Sequence, residues 1–174
     1  MDPTASHADA GEFLSAAVER HQAPLLRYAA RLVGDPERAR DIVQDTFVRL
    51  MAQPRAAVAD HVAEWLFTVC RNRALDVLRK EGRMKRFADG ELERMPTPDA
   101  RPGRALEAAE TRHAVLALID RLPPNQQEVI RLKFQNGFSY KEIARITDHS
   151  IGNVGFLIHT AVARLRREFA AQRP

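Results

Sequence analysis

Cysteine occurs once among the 174 residues. A single thiol cannot form an internal disulfide, so a stapled secreted fold is excluded, as is any cysteine-rich zinc module. No apolar run approaches the roughly 18–20 residues that span a bilayer. The stretch from Met1 to Gly11 carries Asp2 and Asp9 and lacks a basic-then-apolar signal layout, so the expected location is the cytoplasm. Strand signals are missing as well: there are no alternating β-branched runs. The chain has no glycine-rich phosphate loop, no His-Glu-x-x-His pair and no serine in a nucleophile-elbow context. Only His149 and His159 stand near ligand spacing. The expectation is a protein that is not an enzyme, with no catalytic residue, metal, cofactor or small-molecule substrate.

What is present is a globular composition, 45% hydrophobic and 29% charged, with a net charge of +4. The distribution of charge says more than the total. Residues 1–85 hold 13 Lys+Arg against 12 Asp+Glu, residues 86–110 hold four against six, and residues 111–174 hold ten against five. Within the first block, residues 65–86 concentrate seven basic side chains against Asp76 and Glu81. Two basic zones flanking an acidic middle suit a chain that touches a polyanion at two separated places. The middle contains Pro96, Pro98, Pro102, Gly90 and Gly103, a composition that prevents helix and leaves extended chain. The reading is two small helical domains, 10–86 and 105–171, joined by a flexible Pro-rich linker at 87–104. A long surface loop within one domain is the alternative.

Helical periods run through both domains, and the fold class is all-α. Phe13, Val18, Leu25, Leu26, Ala29, Leu32 and Val33 recur near 3.6 residues from Glu12 to Val33, with Pro24 as a bend and Gly34 as the stop. Asp35-Pro36 then supplies an N-cap and a first helical residue. The second helix places Ala39, Ile42, Val43, Phe47, Leu50 and Met51 on one stripe. A third, from about His61 to Lys80, buries Val62, Leu66, Val69, Cys70, Ala74, Val77 and Leu78. Beyond the linker, Ala105 to Leu122 is helical, Pro123-Pro124 stops it, and a helix to Phe134 follows. Ser139 with Glu142 forms a capping box, and a turn at Thr147-Asp148-His149 leads into a last helix from about Ser150 to Ala170.

A short helix, a tight turn and a second helix make a helix-turn-helix, with Ala144 at the close approach and Ile143 and Val154 in the joint core. Its second helix would enter the major groove with Asn153, Gly155, Phe156, His159 and Thr160 outward and Arg164, Arg166 and Arg167 following. An ordinary pair of packed helices would show the same pattern. The third helix gathers Asn72, Asp76, Arg79, Lys80 and Arg83 opposite its apolar stripe, with Arg71 and Arg73 at the borders. Such a face can pair with phosphates and read bases, or it can simply be solvated. The second helix is locally acidic around Asp41, Gln44 and Asp45, which suits a protein partner bearing arginines. Trp65 reads as a core or domain-edge anchor and Cys70 as a small buried residue.

The run Asp41-Ile42-Val43-Gln44-Asp45-Thr46-Phe47-Val48-Arg49-Leu50 resembles region 2 of sigma-70 family factors. Trp65-Leu66 and the segment Arg71-Asn72 through Arg79-Lys80 look like its continuation. Leu122-Pro123-Pro124 with Gln126 and Glu128, then Phe138-Ser139-Tyr140 with Glu142-Ile143-Ala144, looks like region 4. Two regions across a short linker are similar to the extracytoplasmic function (ECF) group. The resemblance implies binding to bacterial core RNA polymerase and direction of that enzyme to promoters. By this resemblance Asp41, Gln44, Asp45, Phe47 and Arg49 would dock on the β′ clamp helices, with the β flap as a further contact. Arg71, Asn72, Asp76, Arg79, Lys80 and Arg83 would work at the −10 element, and the loop Ala52 to Asp60 would help capture a flipped base. Ser139, Tyr140, Lys141, Ser150, Asn153, Phe156, His159 and Arg164 would serve the −35 element. An anti-sigma factor is implied as a regulator.

The recognition helix departs from the family pattern. Gly155, Leu157 and Thr160 occupy places that are basic in many relatives, which implies fewer phosphate contacts and a shallower salt dependence, by about 0.9 per lost contact. Two other readings compete with a sigma factor. One is a stand-alone helix-turn-helix regulator, and the other is an adaptor that sequesters a partner without reading DNA. Charge reversal at Asp45 is expected to weaken polymerase binding with the fold intact.

Overall fold

The computed structural model describes the backbone of residues 3–82 and 106–171 and the side chains of residues 10–82 and 112–171. All regular structure among these residues is helical. The chain divides into two compact units, Met1–Met84 and Lys85–Pro174. The expected linker at 87–104 lies outside the described residues.

In the first unit α1 spans Pro3–Val33, α2 Pro36–Met51, a one-turn α3 Arg55–Val58, and α4 Val62–Lys80, with a 3-10 turn Ala59–His61 before α4. The first helix begins earlier than its apolar period suggested. Pro3 needs no amide partner at a helix start, and Ala5, Ala8 and Ala10 are strong helix formers. Pro24 sits inside α1 without ending it. The lost amide is outweighed by the stripe that follows, since Leu25, Ala29, Leu32 and Val33 are buried against the other helices, each large side chain worth about 1.5–3 kcal/mol. Asp35 caps α2 as expected, its Oδ1 accepting from the amides of Glu37 (2.9 Å) and Arg38 (3.3 Å).

The core of this unit is the mutual packing of α1, α2 and α4. Ile42, Val43, Phe47 and Leu50 meet Leu66, Phe67, Cys70, Ala74 and Leu78 there. Phe67 packs on Tyr28 with ring centroids 5.1 Å apart. Val62, Val69 and Val77, expected inside, are only half-buried. Met51 corrects the expected stripe more strongly, at 67% exposed. It is the last residue of α2 and lines an open groove with Phe13 and Leu14 of α1 instead of entering the core. Cys70 is wholly buried, and burial pushes its thiol up to about 12 despite a hydrogen bond with Thr46.

In the second unit α5 spans Leu106–Ile119, α6 Pro124–Phe134, α7 Tyr140–Thr147 and α8 Ile151–Ala171. The Pro123-Pro124 break is clamped by Gln127, whose Nε2 donates to the carbonyls of Asp120 (3.2 Å) and Leu122 (2.6 Å). Arg131, buried on α6, meets Asp120 Oδ1 at 2.5 Å. Gly137 takes φ +77°, a left-handed conformation that ends α6 and turns the chain toward α7. Leu118, Leu122, Val129, Leu132, Ile143, Ile146, Val154, Leu157, Ile158 and Ala161 form the core.

Candidate polymerase and nucleic-acid interfaces

On α2, Asp41, Gln44, Asp45 and Val48 follow the i, i+3, i+4, i+7 spacing and therefore share one face. Asp41, Gln44, Val48 and Arg49 are exposed, with Val48 at 56%. Asp45 is half-buried, because its carboxylate accepts from Arg49 Nε at 3.0 Å and pairs across the helix interface with Arg73 Nε on α4 at 2.6 Å. Phe47 turns the other way and is only 9% exposed, so it braces the face from within the core rather than lying on it. The exposed apolar members, Val48 and Met51, were missed from sequence. The seven-residue spacing from Asp41 to Val48 was the available signal.

The α4 face is assembled as expected in outline. Asn72, Arg79 and Lys80 are exposed, and Arg71 and Asp76 are half-buried. Asp76 Oδ1 accepts from Arg79 Nη1 at 2.7 Å, which fixes the arginine along the helix. Arg73 turns toward α2 and Asp45, away from that face. Arg83 lies outside the described residues. An unexpected pair links Arg38 at the start of α2 with Glu81 just past α4. Ahead of α4, the loop Ala52 to Asp60 is not open chain. It contains the α3 turn, pinned by buried Val58, and Arg55 lies over the Phe13 ring at 5.4 Å. Trp65 is half-buried, consistent with an edge anchor.

The helix-turn-helix is built by local chemistry. Ser139 Oγ accepts from the Glu142 amide at 3.3 Å, while Glu142 Oε2 accepts from the Ser139 amide at 2.7 Å. This reciprocal cap holds the Glu142 carboxyl below its ordinary range, first through Ser139 and then through nearby Arg145 and Lys133. Asp148 ends α7 at φ +57°, and its amide and that of His149 both reach the Ala144 carbonyl. Ser150 then caps α8 by accepting from the Asn153 amide at 3.1 Å.

Outward on this motif stand Tyr140, Lys141, Ser150, Asn153, Phe156 and His159, all exposed. Tyr140 lies beneath Lys133 Nζ at 5.4 Å from its ring. Arg164, half-buried, pairs with Glu168 at 2.8 Å. Thr160 donates to the carbonyls of Phe156 and Leu157. Leu157 overturns one expectation, because it is 5% exposed and belongs to the α8 core stripe. A basic residue there would be buried, so its absence removes no phosphate contact. Among the described residues no group of three or more His, Cys, Asp or Glu side chains could hold a metal, and no helix is long and apolar enough to cross a membrane.

The first unit, packed from α1, α2 and α4, carries Asp41 and Gln44 on one face and Arg79 and Lys80 on another, and the second carries a capped helix-turn-helix, a motif that many transcription proteins share. Residues 17–84 match sigma-70 region 2, and residues 112–165 match sigma-70 region 4. The chain is 32% identical to the ECF RNA polymerase sigma factor SigL of Mycobacterium tuberculosis, over 88% of this chain and 86% of that one. It is 34% identical to the ECF sigma factor EcfG of Rhodopseudomonas palustris, over 82% and 77%. Among solved structures it resembles the sigma factor RpoE of Bartonella quintana, determined with the anti-sigma factor NepR. That match has a TM-score of 0.65 and 25% identity, and covers 91% of this chain and 98% of that one. CnrH, solved with the cytosolic domain of CnrY, matches at a TM-score of 0.53 and 26% identity, over 94% and 96%. The chain belongs to the ECF sigma factor family, whose members direct promoter-specific transcription. A stand-alone regulator is not favoured.

Proposed function

We propose that the first unit docks on core RNA polymerase through the α2 stripe of Asp41, Gln44 and Val48, on the β′ clamp helices. Asp45 and Phe47 hold that stripe in place, and Arg49 borders it. Arg71, Asn72, Asp76, Arg79 and Lys80 on α4 then work at the −10 element, where the duplex opens. The helix-turn-helix reads the −35 element, with the β flap as its protein contact. The chain acts in the cytoplasm as a regulatory subunit with no catalysis of its own. Two relatives of this fold were solved with a protein named as its anti-sigma factor or as a cytosolic domain, which supports an anti-sigma partner here.

The observation that carries the reading is the opposite character of two faces on one helical packing. The exposed Asp41 carboxylate on α2 repels DNA phosphate and attracts a basic protein surface, with the Gln44 amide beside it as a hydrogen-bonding group, while exposed Arg79 and Lys80 on α4 do the reverse. Competition with a reference sigma factor for core polymerase tests it. Asp41→Arg combined with Gln44→Arg should lower competition at least tenfold with an unchanged far-UV spectrum. Undiminished competition would remove the docking assignment.

A further inference from the structure

From Ile146 to Ala163 the chain contains no lysine or arginine, and this stretch includes the first three turns of α8. The buried side of α8 is set by Val154, Leu157, Ile158 and Ala161. At 100° per residue, the opposite side is centred on Gly152, Phe156, His159 and Ala163, with Asn153 at its edge. Phe156 is 64% exposed and stands on this outward line between two positions, Gly152 and Ala163, that have little or no side chain. The cations lie to either side of the stretch, with Lys141 and Arg145 on α7 and Arg164, Arg166 and Arg167 farther along α8.

The two kinds of contact are thereby separated. Phosphate contacts position a helix in the groove and carry no sequence information, while base edges are read by what projects from its middle. Guanine is read most often by a bidentate arginine or lysine, and none is available on this surface. Thymine offers a C5-methyl group to an apolar side chain, and adenine offers N6 and N7 to an amide. Resting on the proposed role of the helix-turn-helix at the −35 element, we infer that its recognition helix selects A·T pairs. Phe156 packs on a thymine methyl, Asn153 bonds an adenine edge, and no guanine is read through a cationic fork.

The test uses holoenzyme reconstituted from the full chain and bacterial core polymerase, presented with promoter duplexes randomised across the −35 region. Selected sequences should be A·T-rich under α8. Replacing the selected thymine by deoxyuridine, which lacks only the methyl group, should weaken binding about fourfold, the worth of one buried methylene. With Phe156→Ala holoenzyme, thymine and deoxyuridine duplexes should bind alike. Equal binding of the two duplexes by the unmodified holoenzyme would overturn the inference, as would selection of G·C pairs throughout. A Phe156→Ala chain that loses assembly with core polymerase instead would assign this ring to a protein contact and overturn it equally. Assembly and −10-dependent opening are read on the same samples. Their loss in the unmodified protein would sink the underlying −35 role as well, whereas their retention with insensitivity to the methyl sinks the base assignment alone.

Discussion

Asp45 on α2 and Arg73 on α4 form an ion pair, 2.6 Å from Nε to Oδ2, across the packing of the two helices. Arg49 also reaches the same oxygen at 3.0 Å. The acidic residue at the centre of the proposed docking stripe is therefore a tie between the two helices as well as a part-exposed charge. Asp45→Arg would place three guanidinium groups at one spot. It should weaken polymerase binding and also lower the melting temperature by a few degrees, since part-exposed pairs are worth about 1 kcal/mol or less. The single Trp65 on α4 makes fluorescence a direct reporter of this unit's unfolding. A melt identical to the unmodified chain would show the tie to be energetically silent.

The capping box at Ser139 and Glu142 predicts a pH dependence local to the helix-turn-helix. Glu142 has its carboxyl pulled below its ordinary value of 4.5 by the folded state. The ionised form is thus favoured by folding. Its contribution is complete above 4.5 and is lost as pH falls through the lower folded value. Ser139→Ala should cost unit 2 about 1 kcal/mol at neutral pH, and Ser139→Asp should restore most of it. Hydrogen exchange of the amides in residues 140–147 measures both effects.

Cys70 should be inert in the native protein. Full burial with a thiol raised to about 12 leaves almost no thiolate at pH 8. Reaction with a thiol-specific disulfide reagent is expected at the rate of unfolding and no faster. Prompt stoichiometric labelling under native conditions would show that the α1–α2–α4 core opens readily.

Leu157 and Thr160 should respond in opposite ways to an added cation. Leu157→Arg buries an unpaired charge and should destabilise unit 2 by several kcal/mol. Thr160→Lys, at the half-buried border, should leave the fold intact and steepen the salt dependence of holoenzyme binding to promoter DNA by about 0.9. Thermal melts and a salt titration distinguish the two.

These outcomes mark where sequence was legible. Features fixed within four residues were readable, because Asp35-Pro36 and Ser139 with Glu142 satisfy orphan helix amides from their own neighbourhood. The helix-turn-helix was readable for the same reason, its turn being set by Asp148 and its joint by Ala144, Ile143 and Val154. What failed depended on which distant helix covers a residue. Met51 has apolar chemistry but lies in an open groove beside α1, and Leu157 was counted among the places basic in relatives although it lies in the α8 core stripe. Arg73 has cationic chemistry but turns to Asp45. The acidic face was visible in Asp41, Gln44 and Asp45. Helical spacing already set Phe47 on the apolar stripe and Val48 seven residues from Asp41, whereas the ion pair that ties Asp45 to Arg73 depended on where α4 packs.

The central claim is that this chain reaches promoter DNA as part of a polymerase. A gel-shift titration on a promoter fragment, with the chain alone and with the chain plus core RNA polymerase, tests it most directly. Sequence-specific binding that appears only with core enzyme, followed by opening of the −10 region, is the predicted result. Tight specific binding by the chain alone, unchanged when core enzyme is added, would contradict it.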